Sequence, residues 1–171
     1  TRGLVGCWSF DGSYTKVPDC SGNNNTGTVT GATKVQGKIG QGMSFDGVND
    51  SVNAGTGSSL DDIQSQGGGG MTVSFWIKPT NTNISGTIMA KANGGNGSGV
   101  WSISKNNSGN QGRISFVKEG GTDSNIDFNN VLVANAWQHI IFTWNGTMTF
   151  STGVNAYRNG VAQTGGNIVD G

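Results

Sequence analysis

Charge, proline, cysteine and long apolar runs are all scarce in this chain, and each scarcity argues against a class of protein. Of 171 residues, ten are basic and ten acidic, for a formal net charge of zero. No cluster of lysine and arginine is present to track a phosphate backbone, which argues against nucleic-acid binding. No run approaches the ~18 apolar residues of a membrane-spanning helix. Glu119 is the only glutamate and His139 the only histidine. One histidine inside an apolar run, without a nucleophile motif, gives a Ser/His/Asp or Cys/His arrangement little support. There His139 reads by default as a satisfied core histidine. Two cysteines beside a single histidine also leave no ordinary zinc site.

Those two cysteines, Cys7 and Cys20, lie close in sequence, one in a strand-like segment and one in the turn-rich Pro18-Asp19-Cys20-Ser21-Gly22. A bridge between them would close a short loop and stabilise the fold by about 3 kcal/mol. Two unrelated buried thiols are the alternative. The bridge is the favoured reading, and it implies an oxidising, extracytoplasmic compartment. Sequons at Asn24, Asn83, Asn96, Asn106 and Asn145 fit a surface protein, although an asparagine-rich chain produces them by chance. The sequence starts at Thr1 without a signal peptide, which reads as a removed leader or a piece of a longer protein.

What is abundant is glycine, with 31 residues, alongside asparagine, serine and threonine. Glycine and asparagine supply the positive φ that tight turns need, so the profile is one of many short strands joined by turns. Linkers share that composition, but five tryptophans and seven phenylalanines provide a core that linkers lack. No segment sustains a 3.6-residue apolar period, and strand signals recur instead. Met71, Val73, Phe75 and Ile77 alternate with Thr72, Ser74, Trp76 and Lys78, and Pro79 ends the run. Trp101–Ser104 and Arg113–Val117 flank a turn-rich stretch, as in a hairpin. Trp137–Trp144 is a nearly continuous apolar run, which predicts a strand covered on both faces. Asn145-Gly146 and Asn159-Gly160 mark turns. Two Phe-Asp-Gly corners, at Phe10-Asp11-Gly12 and Phe45-Asp46-Gly47, are each expected to follow a short strand and to bring their carboxylates to one edge. A single β-sandwich or barrel over residues 1–171 follows.

The ordered segments GLVGCWSFDG, DCSGNNNTGTVTGA, GKIGQGMSFDGVNDSVNAG, MTVSFWIKP, GTIMAKANG, WQHIIFTWNGT and AYRNGVAQ resemble a laminin-G-like domain of the concanavalin A-like lectin/glucanase superfamily. The resemblance implies an all-β fold, a two-sheet antiparallel jelly-roll sandwich. It also implies a further C-terminal closing strand, of the Gly-x-Ile-Asp-Glu-Val-Arg kind, that this chain lacks. The reading is therefore a sandwich incomplete at its C-terminus, through truncation or through a strand supplied by another chain. Family members often hold Ca²⁺ at the sandwich edge, which would make Asp11, Asp46 and Asp50 the metal ligands. The alternative is that these aspartates cap turns. Hydrolases on this fold carry a Glu-x-Asp-x-x-Glu pattern, and no strand here does, so no enzyme activity is expected.

Sugar sites combine aromatic platforms with amide and charged hydrogen-bonding groups. Trp76 and Trp101 are the candidate platforms, with Lys78, Asn96 and Arg113 as polar partners on a concave sheet face. Packing of both tryptophans under loops is the alternative. Trp8 and Trp137 occupy structural positions of the family pattern. The expected function is a non-catalytic, extracellular or cell-surface module for carbohydrate binding or adhesion, with a glycan or surface protein as partner. The second reading is a structural module of a surface filament, pilin-like protein or large adhesin, completed by a strand-donating partner chain.

Overall fold

The computed structural model describes residues 3–61, 69–83, 85–91, 100–106, 113–119, 124–147 and 149–169. The chain forms two compact units, Thr1–Ile63 and Gln64–Gly171, where a continuous sandwich was expected. Both are built from antiparallel strands.

In the first unit, β1 (Lys16–Val17), β2 (Gly27–Thr30) and β5 (Ser51–Asn53) form a three-stranded sheet in the order β1-β2-β5. A separate hairpin pairs β3 (Thr33–Gln36) with β4 (Gln41–Ser44). A one-turn helix, α1 (Ser58–Asp61), follows. Few apolar side chains are fully buried here, Val17 and Ala32 among them, so polar contacts carry much of the order. The expected strand at Gly3–Asp11 does not form. That segment is held by bonds to residues 19–25 instead of a ladder.

The Cys7–Cys20 disulfide is present, with Cα atoms 4.9 Å apart. Cys20 N–H donates to Cys7 O at 2.8 Å. Asp19 gathers four donors beside it. Its Oδ1 accepts from Cys7 N–H (3.0 Å) and Ser21 N–H (2.9 Å), and its Oδ2 from Ser21 Oγ–H (2.8 Å) and Asn25 N–H (2.9 Å). Asn23 and Asn25 amides donate to Val5 O, and Trp8 Nε1–H donates to Asn25 O at 2.7 Å. Lys34 does the same work at the first Phe-Asp-Gly corner. Its ammonium donates to Phe10 O (2.9 Å), Gly12 O (2.6 Å) and Gln41 Oε1 (2.8 Å). Phe10 sits at φ +64°, a conformation that bulky residues rarely adopt, and the lysine grips both sides of it.

The second unit is a two-sheet sandwich. One sheet has the order β13-β12-β11-β6, from β6 (Met71–Ile77), β11 (Gln138–Trp144), β12 (Val154–Arg158) and β13 (Val161–Gln163). The other has the order β14-β10-β9-β8-β7, from β7 (Gly86–Lys91), β8 (Val100–Asn106), β9 (Arg113–Glu119), β10 (Ser124–Phe128) and β14 (Gly165–Val169). β8 and β9 pair antiparallel as the sequence pattern predicts. β14 was not marked in the sequence, because Gly165-Gly166-Asn167 reads as a turn. It pairs with β10, placing Ile168 opposite Ile126.

Between the sheets lies one apolar layer. Trp101 and Ile103 of β8, Ile126 and Phe128 of β10, Ile140, Phe142 and Trp144 of β11, and Val154 and Ala156 of β12 belong to a single cluster. Phe150, from the one-turn helix α2 (Phe150–Gly153), joins it. Phe128 and Phe142 meet edge to face at 5.7 Å. The inward face of β6 packs against this cluster as expected, through Met71, Val73, Phe75 and Ile77. β11 corrects its expectation: it is buried on one face only, with Gln138, Ile140, Phe142 and Trp144 inward and His139, Ile141 and Thr143 half-buried on the other. Continuous apolarity came from Ile141 lying on the outer face. Buried Gln138 is fully occupied, accepting from Val133 N–H (2.7 Å) and donating to Val133 O and Ala136 O.

Phe142→Ala removes a ring at the centre of this layer and is expected to cost about 3–5 kcal/mol of unfolding free energy in urea titration. For Asp19, burial acts to raise the carboxyl pKa, but the hydrogen bonds from Ser21, Asn25 and Cys7 outweigh it and the net direction is down. The stabilisation is therefore present above the ordinary carboxylate value of about 4 and is lost as pH falls through the lower folded value. Asp19→Asn is expected to lower stability at pH 7 by on the order of 1 kcal/mol, given partial solvent screening. Its acid unfolding curve should be flatter than that of the wild type below pH ~4.

Candidate functional site

Strand parity decides which side chains the four-stranded sheet presents outward. On β6, Thr72, Ser74 and Trp76 are exposed while their neighbours face the core. The register sets Trp76 opposite His139, Ser74 opposite Ile141, and Thr72 opposite Thr143. It continues from Ile141 to Tyr157 and from Thr143 to Asn155 on β12, and from Tyr157 to Ala162 on β13. The result is a face bearing an indole, an imidazole and a phenol among hydroxyls and an amide. None of these outward positions is acidic.

Trp76 is 40 % exposed. One side of its ring rests on His139, with centroids 5.0 Å apart and planes tilted by 31°. His139 is itself held at three points. Its Nε2 shares a 2.8 Å hydrogen bond with Ser74 Oγ. Its backbone N–H donates to Asn159 Oδ1 (2.9 Å), and its carbonyl accepts from Asn159 N–H (2.8 Å). The expectation of a core histidine is thus corrected: His139 props an exposed tryptophan from the sheet surface. The Ser74–His139 contact has the spacing of a nucleophile and its base. It stands on an open strand face with no carboxylate at the outward positions to orient the ring, so the triad logic is not met. Sequence reasoning missed both residues, although Ser74 shares the outward parity of Trp76.

The remaining candidate ligand residues do not gather around Trp76. Lys78 is exposed just beyond β6. Trp101 is only 5 % exposed and lies in the core, so it is no platform. Its alternation with Ser102, Ile103 and Ser104 carried that signal, since Trp101 shares the parity of Ile103. Arg113 begins β9 opposite Asn106, on the five-stranded sheet, so it does not share a sheet face with Trp76. Asn96 lies outside the described residues.

The three aspartates proposed for calcium serve separate turns. Asp11 Oδ1 accepts from Gln41 N–H (2.9 Å), and its carboxylate lies against Gly40, whose φ of +62° leaves no room for a side chain. Asp46 Oδ1 accepts from Val48 N–H (2.8 Å). Asp50 Oδ2 accepts from Asp46 N–H (2.8 Å), and its carboxylate lies against Gly31 at φ +75°. Among the described residues no three acidic, histidine or cysteine side chains form a group able to hold a metal ion. The aspartates therefore do not fit a carboxylate-built calcium site. EDTA is expected to leave the melting temperature unchanged in a thermal scan. A fall of several degrees on chelation would reveal a cation bound to the native state.

Comparisons with known proteins agree with this architecture. The family described as Laminin_G_3, of the concanavalin A-like lectin/glucanases superfamily, matches residues 46–171. A crystal structure of part of an S-layer domain-containing protein from Clostridium thermocellum superposes with a TM-score of 0.59 at 21 % identity, covering 94 % of this chain and 71 % of that one. At that identity the likeness is one of fold. No curated protein sequence matches. Antiparallel strands throughout, an apolar layer between two sheets and a family match over residues 46–171 place this chain in the Laminin_G_3 family of concanavalin A-like domains.

Proposed function

We propose that this chain is a non-catalytic module of the cell surface or extracellular space that binds a glycan through the outer face of its four-stranded sheet. The observation that carries the reading is the exposed indole of Trp76, braced on His139 and flanked by Ser74 and Thr72. An aromatic face meets the C–H groups of a pyranose ring, and the surrounding hydroxyls and amides suit its hydroxyls. Bracing fixes the indole before the ligand arrives, which reduces the ordering cost of binding. Lys78 lies within two residues of the platform along the chain. The Cys7–Cys20 bridge supports an oxidising compartment. The lectin-like family supports binding rather than a structural role.

Absence of catalysis is part of the proposal. The sole glutamate, Glu119, belongs to the other sheet, and a glycosidase needs a carboxylate pair across the scissile bond. One observation favours a second reading, a structural module of a surface assembly: the fold-level neighbour is an S-layer domain-containing protein. In that reading a partner chain adds a strand at a sheet edge, and β6, β13, β7 and β14 are the edges on offer.

A glycan array followed by isothermal titration on the best-bound oligosaccharide separates the two. Saturable binding is expected, weakened about tenfold or more in Trp76→Ala, since aromatic anchors carry about 1.5 kcal/mol or more at such sites. An unbound array, or an affinity indifferent to Trp76, favours the structural module.

A further inference from the structure

On the other sheet of the same unit, a recess of about 330 Å³ is lined by Ser85, Gly86, Thr87, Ser104 and Lys105. It opens where edge strand β7 departs from regular pairing. Thr87 stands opposite Ser104, and the register then shifts between Thr87 and Met89. Such bulges re-aim side chains at sheet edges. Gly86 stands opposite Lys105, so β7 sends no side chain over the lysine. A methyl group at Gly86 would meet nothing within 4 Å, which marks open space rather than a packing constraint.

Lys105 Nζ donates one hydrogen bond to Asn81 O at 2.9 Å. An ammonium carries three donors, so this contact leaves others available for a ligand. Burial, with no carboxylate among its causes, lowers the Lys105 pKa. A cation that loses water without gaining a counter-charge is costly, and an anion arriving in the recess would relieve that cost. The three hydroxyls of Ser85, Thr87 and Ser104 offer further donors beside it.

We propose that this recess is an oxyanion-binding site, with Lys105 as the charge partner and the Ser85, Thr87 and Ser104 hydroxyls as accompanying donors. The ligand chemistry is a carboxylate or sulfate group, carried by an acidic glycan or free in solution. The site is separate from the Trp76 face and does not depend on that reading.

The test follows the lysine side-chain Hζ/Nζ and Hε/Cε resonances of the intact chain by NMR, assigned with Lys105→Gln. Trigalacturonate and sodium sulfate serve as probes. Saturable shifts of the Lys105 signals are expected, together with a rise in the Lys105 pKa, because an anion that prefers the protonated amine must raise it. A trigalacturonate affinity about tenfold or more above that of sulfate assigns the site to an acidic glycan. Equal affinities assign it to small free anions. Lys105→Gln should abolish saturable binding at this site. Thr87→Val, which keeps the charge, should weaken it several-fold and serves where Lys105→Gln fails to fold. Trp76→Ala should leave it unchanged. The absence of saturable Lys105 shifts with both probes overturns the proposal, as does full retention of affinity in the folded Lys105→Gln protein.

Discussion

Ile140, Phe142 and Trp144 of β11 meet Ile103, Ile126 and Phe128 in one apolar layer, and the outward positions of both sheets follow from that meeting. Side chains alternate strictly along a strand, so placing Phe142 inward sends Ile141 and Thr143 to the other face. A slip of one residue would bury Thr143 and expose Phe142. The apolar layer thereby holds Trp76 and His139 on the surface, across from each other, as firmly as it holds the core.

The first unit solves a different problem. With little apolar burial, it relies on charged and polar side chains that each close several backbone groups. Asp19 collects four donors around the disulfide, and Lys34 collects three acceptors around Phe10, Gly12 and Gln41. Multidentate charged groups of this kind stand in for the regular ladder that residues 3–11 lack, and they satisfy backbone that would otherwise depend on water. The aspartates of the two Phe-Asp-Gly corners belong to the same economy. Each is bonded to a backbone amide, which leaves them as turn-formers rather than a shared edge site.

The candidate site was legible in part. Trp76 could be read outward because Met71, Val73, Phe75 and Ile77 defined the inner face with no exception. Trp101 was misplaced although the same rule applied to it: a short Trp-Ser-Ile-Ser run gives two apolar positions, and both are inside. His139 was read as core because Ile140 and Ile141 hid the alternation of β11. Its roles as a brace for Trp76 and a partner of Ser74 depend on a pairing between residues 65 positions apart, which local periodicity does not contain. The Lys105 recess is of the same kind, since it arises from the bulge between β7 and β8 and from Gly86 standing opposite the lysine.

By itself the sequence determined an all-β chain of short antiparallel strands, the inner face of β6, the β8–β9 hairpin and the nearness of Cys7 to Cys20. These are local consequences of side-chain period, turn chemistry and short loop closure. The tertiary structure alone decided which strands neighbour one another, that Asp11, Asp46 and Asp50 go to separate turns, and that an imidazole lies beneath the exposed indole. Such features depend on register between distant segments. Register is chosen by the burial of a whole face at once, so no single stretch of the chain encodes it.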